Sequence, residues 1–109
     1  MAEYILKVES KCKDPAREDE FKDWYDHVHI PDVLETEGYL NAARYEITDP
    51  AEGMGKYIAV YEIETDDLEA MMAAHWKNMK SKEGQGRITD LIEVTSRGIY
   101  KKAYSQASK

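Results

Sequence analysis

The hydrophobic residues at the start of the chain occupy every second position, at Tyr4, Leu6 and Val8. A period of two predicts a β-strand with one face buried. Two further stretches rich in strand-forming residues, Tyr39–Thr48 and Lys56–Thr65, are separated by a segment with one proline and two glycines. This arrangement predicts a β-hairpin with a long loop, because proline and glycine interrupt strands and form turns.

A helical spacing of hydrophobic residues, three or four positions apart, first occurs in Pro15–Ile30. Asp14 can cap the start of this helix with its side-chain carboxylate. Pro31 disfavours helical geometry at the residue before it, so we expect the helix to end or kink there. The segment Asp32–Glu37 should then be irregular or form a short helical turn before Gly38.

A second helix with a hydrophobic stripe is predicted between a cap at Thr65 or Asp66 and an end within Lys80–Gly84. A last strand is predicted from Ile88 to about Ala103. The elements therefore follow the order strand, helix, strand, strand, helix, strand. This order predicts an α+β, ferredoxin-like βαββαβ fold, in which two helices cover one face of a four-stranded antiparallel sheet.

The strand Lys56–Thr65 is predicted to be hydrophobic on both faces. Its residues alternate between one face with Tyr57, Ala59, Tyr61 and Ile63 and another with Ile58, Val60 and Glu62. The helices cover one of these faces, so something else has to cover the second. We expect a homodimer that packs sheet against sheet. The alternative is that the tyrosine side chains tolerate partial exposure.

Length and composition predict one globular domain over residues 1–104, with a frayed polar tail over 105–109. No hydrophobic run approaches the ~20 residues that cross a bilayer, and the N-terminus lacks the features of a signal peptide, so we expect a cytoplasmic protein without membrane contact. Cys12 is the sole cysteine, which excludes an intramolecular disulfide and a cysteine-based metal site. The net charge of −7 and the pI near 4.9 argue against a nucleic-acid partner.

Two of the three histidines lie in the sequence WYDHVHIPD, residues 24–32. Histidine exchanges protons near neutral pH, and aromatic residues commonly line small-molecule pockets. His29 lies one turn after Tyr25 and directly before the expected break, where its side chain can turn towards a cavity. A capping or packing role is the alternative for His29. His27 lies one turn after Asp23 and is expected to be a solvated surface residue.

His75 interrupts the hydrophobic stripe of the second helix and is followed by Trp76. A buried imidazole needs a hydrogen-bond partner. His75 is either a core histidine bonded to a backbone carbonyl, or a residue that faces the cavity as a second acid or base or as a ligand to a cofactor. No recognisable metal-ligand spacing joins the histidines to Asp32 or Glu46, so no metal site is predicted.

Other side chains are candidates for holding a substrate. The hydroxyl of a tyrosine such as Tyr25 or Tyr61 can polarise a carbonyl, and Arg44 can bind an acidic group. The methionines of the second helix, Met72 among them, suit an adaptable hydrophobic lining, although a methionine stripe is more often simply core.

Several of these residues carry a resemblance to a known group of proteins. A tryptophan and a tyrosine are followed by His29-Ile30-Pro31, then by Asp32, Leu34 and Gly38-Tyr39. An aromatic helix that ends in histidine–x–proline resembles the EthD-like families of the dimeric α/β-barrel superfamily, and the length and element order agree with it. The resemblance implies a homodimer whose sheets pack into a barrel, with a cavity between helices and sheet in each subunit.

The resemblance also implies a range of activities. Members include small cofactor-independent enzymes that act on aromatic, lactone or polyketide-like compounds by dehydration, cyclisation, decarboxylation or isomerisation, alongside members with no assigned activity. Relatives elsewhere in the superfamily are oxygenases and haem-binding proteins. A histidine on the second helix is similar to the iron ligand of the haem-degrading members, but this chain has no asparagine on its first strand and Trp76 directly follows His75.

The residues and the resemblance together predict a lyase or isomerase that moves a proton on a hydrophobic carbonyl compound without a cofactor. His29 and His75 are predicted to transfer protons, and Tyr25 to position or polarise the substrate oxygen. The predicted substrate-binding residues are Trp24, Arg44, Tyr61, Met72 and Trp76. The alternatives are a non-catalytic dimer that binds a small ligand in the same cavity, and a haem-binding or monooxygenase-type barrel that uses His75.

Overall fold

A computed structural model describes all residues from 1 to 109. Its strands are β1 (Ala2–Cys12), β2 (Tyr39–Glu46), β3 (Tyr57–Thr65) and β4 (Ile92–Lys101). Its helices are α1 (Glu18–Trp24), α2 (Ile30–Val33) and α3 (Leu68–Gly84), with a 3₁₀ turn at Pro15–Arg17 and a π-helical turn at Tyr25–His29. No helix combines the length and the hydrophobicity needed to span a bilayer.

The four strands form one antiparallel sheet in the order β2-β3-β1-β4. β1 and β3 are the inner strands, and Leu6 of β1 lies opposite Tyr61 of β3 on one side and Ile99 of β4 on the other. Four antiparallel strands in this order, with the helices packed on one face, make an α+β ferredoxin-like fold. The predicted fold is therefore confirmed.

The core lies between the sheet and the helices. Every second residue of β3 from Tyr57 to Ile63 is buried, and Leu6 and Val8 of β1 lie on the same face. Phe21 of α1 closes the core from the helical side and is 0% exposed. Burying a large hydrophobic side chain of this kind contributes about 1.5–3 kcal/mol, so this face of the sheet holds the helices in place.

The sequence predicts that the helix ends or kinks at Ile30, and in the structure the helical segment continues as α2 to Val33. Its middle turn is wider than an α-helical turn, because the Ile30 N–H donates to the Tyr25 carbonyl five residues earlier. Pro31 has no N–H to donate, and the wider turn accommodates the proline within one helical segment. Of the two predicted outcomes, an end at Ile30 is wrong because it assumes α-helical hydrogen bonding up to the proline, whereas the structure has a distorted turn directly before the proline.

Other boundaries differ from the prediction by a few residues. Asp14 caps the 3₁₀ turn as predicted, and its carboxylate accepts a hydrogen bond from the backbone N–H two residues later. The cap of α3 is Asp67, not Thr65 or Asp66, and it accepts from the backbone N–H three residues later at 3.0 Å. β4 begins at Ile92, later than predicted, because a turn precedes it.

The face of the sheet opposite the helices stays partly exposed in a single chain. Ile58 and Val60 of β3 are half-buried on this face. Tyr45 and Tyr100 flank them on the edge strands and are 53% and 52% exposed. A homodimer that covers this face stays a prediction.

Candidate active site

A cavity of about 480 Å³ lies between the helices and the sheet. Eleven of its sixteen lining residues are hydrophobic, which fits a small and largely apolar ligand. Both tryptophans of the chain and two of its three histidines lie on the wall. The lining residues are Leu6, Val8, Trp24, Tyr25, His29, Val33, Tyr61, His75, Trp76, Met79, Lys80, Glu83, Ile88, Ile92, Val94 and Arg97.

His29 lies on this wall at the end of the π-helical turn. Its ring stacks on Trp24 with centroids 4.6 Å apart and planes at 18°, and it meets Tyr25 edge to face at 5.3 Å. These contacts fix the orientation of the imidazole. Its Nδ1 is buried and has no hydrogen-bond partner. Nδ1 is thus closed off from the cavity, and the ring nitrogen left to face a ligand there is Nε2.

Both histidines of the cavity are neutral at pH 7. Burial lowers the pKa of His29 to about 4, an effect that the Asp32 carboxylate opposes and that nearby His75 and Arg97 reinforce. Burial likewise lowers the pKa of His75 to about 4, with a smaller contribution from Arg97. Neutral imidazoles can accept a proton, so either ring can act as a base at neutral pH.

His75 lies on α3 and is 4% exposed. Its Nδ1 is 2.8 Å from the hydroxyl of Tyr39 on β2, so its partner is a side chain and not the backbone carbonyl that was one alternative. Burial raises the pKa of Tyr39, which keeps the phenol protonated and able to donate. When Tyr39 donates to Nδ1, the neutral ring carries its own proton on Nε2. The sequence gives no signal for Tyr39, because the pair joins residues 36 positions apart.

Three buried hydroxyls, those of Ser10, Tyr25 and Tyr61, lie beside one another. Tyr25 interacts weakly with the hydroxyls of Ser10 and Tyr61, which affects the pKa values of both tyrosines, but none of the three has a partner at full hydrogen-bonding geometry. Burial raises the pKa of both tyrosines, so both phenols stay protonated at pH 7. The side chains of Tyr25 and Tyr61 line the cavity, and a shift of their buried hydroxyls would let them donate hydrogen bonds to an oxygen atom of a bound molecule.

Two of the predicted substrate-binding residues lie outside the cavity. Arg44 forms a bidentate pair with Asp26, with nitrogen–oxygen distances of 2.7 and 3.0 Å, and its guanidinium lies over the Tyr57 ring. Met72 is packed in the hydrophobic core. Alternating strand residues and helical stripes identify the buried side, but they do not tell which part of that side borders a cavity.

The arginine that does line the cavity is Arg97 of β4. Its guanidinium carbon lies 5.0 Å from the centre of the Trp76 ring. Arg97 lies opposite Val8 of β1, and Arg44 lies opposite Ala59 of β3, which itself pairs with Val8, so both arginines are on the helix-facing side of the sheet. Alternation identifies that side but does not reveal which of the two arginines borders the cavity.

Asp32 and Arg87 support the wall that carries His29. The Asp32 side chain is 4% exposed and accepts two hydrogen bonds from Arg87, at 2.7 and 3.0 Å. The Arg87 guanidinium lowers the pKa of Asp32 by these bonds. The backbone carbonyl of Arg87 also accepts a hydrogen bond from the Trp24 indole at 2.8 Å. Since Trp24 stacks on His29, the ion pair between Asp32 and Arg87 helps to fix the position of the His29 imidazole.

The remaining candidates of the sequence analysis lie away from the cavity. The His27 side chain is 74% exposed and lies 3.7 Å from Asp23, which confirms it as a surface residue. Cys12 is buried, and its thiol donates to the backbone carbonyl of Asp14. No three histidine, cysteine, aspartate or glutamate side chains come together as a group that could hold a metal ion.

Solved structures share this fold over nearly the whole chain at low sequence identity. HapK from Hahella chejuensis has a TM-score of 0.66 at 14% identity, covering 97% of this chain and 98% of its own. An ethyl tert-butyl ether d (EthD) family protein from Bacillus halodurans has a TM-score of 0.59 at 14% identity, covering 94% and 100%. SnoaB from Streptomyces nogalater, described as a cofactor-independent oxygenase, has a TM-score of 0.59 at 13% identity, covering 100% of both chains. The resemblance to EthD-like proteins is thus confirmed as a shared fold, and the EthD family protein is one of several neighbours.

No curated protein matches this sequence. A family model described as a domain of unknown function, DUF4286, matches residues 3–90. The matched residues include β1 to α3 and therefore both cavity histidines. This chain belongs to the DUF4286 family.

Proposed function

We propose that this protein is a cofactor-independent enzyme that moves a proton on a hydrophobic aromatic carbonyl compound, as a lyase or isomerase. One observation carries the proposal: an apolar cavity is lined by His29, a neutral imidazole held in a fixed orientation by Trp24, together with the phenol-bearing Tyr25 and Tyr61. The imidazole can take a proton from the substrate. The hydroxyls can hold the oxygen on which the negative charge then develops.

The wall of the cavity supports an aromatic substrate. The cavity volume of about 480 Å³ lies in the range of small-molecule sites, and Trp24 and Trp76 offer flat hydrophobic surfaces. A bound aromatic ketone would direct its oxygen to the tyrosine hydroxyls and the adjacent C–H group to His29. The polar groups would then fix the orientation, and the hydrophobic surfaces would supply most of the affinity.

An imidazole with a pKa near 4 is a weak base in the empty cavity, but the negative charge that develops on the substrate raises that pKa during the reaction. A negative charge within about 4–6 Å favours the imidazolium form. As the proton leaves the substrate carbon, an enolate forms beside the His29 imidazolium, and the two charges stabilise each other. Tyr25 and Tyr61 donate to the enolate oxygen in the same step, where charge stabilisation lowers the barrier most.

His75 would hydrogen-bond the substrate at a second position. With Tyr39 donating to Nδ1, its Nε2 carries a proton and can donate that hydrogen bond. The proton that the His29 imidazolium has gained then goes to another carbon in an isomerisation or to a leaving hydroxyl in a dehydration, which returns both imidazoles to the neutral form. Tyr39 would act here as a positioning residue, because it sets which nitrogen of His75 carries the proton.

A second candidate function shares the first step. SnoaB, which has the same fold, is described as a cofactor-independent oxygenase. In such a reaction the enolate or phenolate formed in the cavity would react with molecular oxygen. Oxygen consumption separates the two candidates, because a lyase or isomerase consumes none.

Proton exchange tests the step that both candidates share. The probe is 2-tetralone, a bicyclic aromatic ketone with acidic C–H groups, incubated with the protein in D₂O at neutral pD while NMR follows the loss of its C–H signals. We expect the protein to accelerate exchange and His29→Ala to slow it by about 10²–10⁴-fold. His27→Ala is the matched control, because His27 is a surface histidine two positions away on the same helical segment.

Each outcome of this experiment decides a role. Exchange that persists in His29→Ala excludes His29 as the base. Binding of 2-tetralone without any exchange favours the alternative of a non-catalytic ligand-binding protein. An oxygen electrode, run with the same ketone, then distinguishes an oxygenase from a lyase or isomerase.

We further propose that the protein acts as a homodimer that packs the outer faces of two sheets together. The support is the hydrophobic patch formed there by Ile58 and Val60, with Tyr45 and Tyr100 beside it. Val60→Glu would place a charge in that interface and should yield monomers by light scattering, because an unpaired charge is costly to bury. A wild-type protein that is monomeric at micromolar concentration would contradict the dimer.

A further inference from the structure

Arg97 differs from every other arginine of this chain, because it has no carboxylate partner. The other three each form an ion pair: Arg17 with Glu20, Arg44 with Asp26 and Arg87 with Asp32. The chain has a net charge of −7, so carboxylates are plentiful. The Arg97 guanidinium, exposed at the wall of the cavity, is therefore free to pair with a negative charge that a ligand supplies.

Packing holds the guanidinium of Arg97 at the cavity. Arg97 lies on β4 opposite Val8 of β1, and its guanidinium carbon is 5.0 Å from the centre of the Trp76 ring. Stacking on an aromatic ring orients the plane of the guanidinium and leaves the N–H donors at its edge available. Such an edge matches a carboxylate, which it binds through two parallel hydrogen bonds.

The charges on the cavity wall also favour an anion. Besides Arg97, the wall carries Lys80 and Glu83 of α3 and the two neutral histidines. Two cations thus face the cavity against one carboxylate, although the chain as a whole is acidic. Neither Lys80 nor Arg97 lies within ion-pair distance of Glu83, so the cations are not neutralised by it.

We propose that Arg97 forms an anion-binding subsite and that the ligand of this cavity is an aromatic acid. Its ring would lie against Trp76 and the hydrophobic wall, and its carboxylate would receive the two hydrogen bonds from Arg97. The inference rests on the proposed function, because it names the substrate class of the same site. It also replaces Arg44, the arginine chosen from the sequence, which is already paired with Asp26.

Two naphthalene derivatives of similar shape separate the charge from the hydrophobic contact. 2-Naphthoate carries a carboxylate, and 2-acetonaphthone carries a neutral methyl ketone in its place. Calorimetric titration at pH 7 should show that the wild-type protein binds 2-naphthoate about tenfold more tightly, which is about 1.4 kcal/mol. Arg97→Gln should abolish this preference and change the affinity for 2-acetonaphthone by no more than about twofold. High salt should reduce the preference, because the subsite is open to solvent.

Two further variants control the assignment. Arg17→Gln removes the same charge outside the cavity and should keep the preference for the acid. Lys80→Gln removes the other cation of the wall and should also keep most of it. The proposal is overturned if wild-type protein fails to bind 2-naphthoate or binds both probes equally. It is also overturned if the preference survives in Arg97→Gln or is lost in Arg17→Gln or Lys80→Gln alone.

The exchange assay with 2-tetralone, run on wild-type protein, separates this proposal from the proposed function. A clear preference for 2-naphthoate without any proton exchange would support the anion subsite and contradict the enzyme. Proton exchange without a preference for 2-naphthoate would support the enzyme and contradict the subsite.

Discussion

Mild acid should destabilise this protein, because two of its histidines are buried as neutral rings. Burial lowers the pKa of His29 and of His75 to about 4, from an ordinary value of 6.5. The unfolded chain therefore takes up protons more readily than the folded one, so stability is lost as the pH falls below about 6.5 and the loss levels off below about 4. Paired carboxylates such as Asp32 have a lowered pKa and lose their contribution only below about pH 4.

The size of the effect follows from the two pKa values. Between about pH 7 and pH 5, a histidine with these values loses about 2 kcal/mol of folding free energy. With both His29 and His75, the protein should lose about 3–4 kcal/mol of folding free energy. This is somewhat less than twice the value for one histidine, because both rings border a cavity. A domain of this size is stable by about 5–15 kcal/mol, so the loss is a large part of the total.

Urea unfolding at these two pH values, followed by tryptophan fluorescence, measures the loss directly. The quantity compared is the change in unfolding free energy from pH 7 to pH 5. The part of a substitution's cost that does not depend on pH is the same at both values and therefore cancels. His29→Gln and His75→Gln should each remove about half of that difference. His27→Gln should keep all of it, because the His27 side chain is solvent-exposed. A wild-type protein equally stable at both pH values would refute the argument, and so would a difference that persists in both variants.

Three other substitutions test the structure around the cavity, with urea unfolding at pH 7 as the measurement. Arg87→Ala leaves the buried Asp32 carboxylate without its partner and should lower the free energy of unfolding; an unchanged stability would contradict this. Gly38→Ala should lower the free energy of unfolding by about 1–3 kcal/mol, because Gly38 has φ +112° and a Cβ there would lie 2.6 Å from a methionine sulfur of α3. Gly84→Ala is the control: a Cβ at Gly84 would meet open space, so this substitution should be neutral or stabilising. Tyr39→Phe removes the hydrogen bond to a buried imidazole nitrogen and should cost about 1–2 kcal/mol; an unchanged stability would show that the bond contributes nothing.

Local patterns were sufficient to predict the fold, because each of its elements carries its own signal. The alternation at Tyr4, Leu6 and Val8 reports a strand, and the doubled order of elements restricts the topology to one common arrangement. Helical spacing likewise predicted the surface position of His27, since its partner Asp23 is one turn away. In these cases the decisive contact is near in sequence.

The site was predicted less completely, because its contacts join distant elements. His29 and His75 were both chosen from the sequence, but their sharing of one cavity depends on how α3 packs beside the π-helical turn. The choice between Arg44 and Arg97 depends on which part of the helix-facing side borders the cavity and on whether a carboxylate such as Asp26 already pairs with the guanidinium. Neither fact is present in any local pattern.

The π-helical turn explains why the proline and the histidine of the His-x-Pro sequence belong together. In an α-helix, residues five apart point about 140° away from each other, so Trp24 and His29 could not stack. The i→i+5 hydrogen bond from Ile30 to Tyr25 widens the turn and brings those two rings to 4.6 Å. Pro31 follows at once and, lacking an N–H, cannot form the α-helical bond that would tighten the turn. The proline therefore helps to aim His29 at the cavity, and it does so without ending the helix.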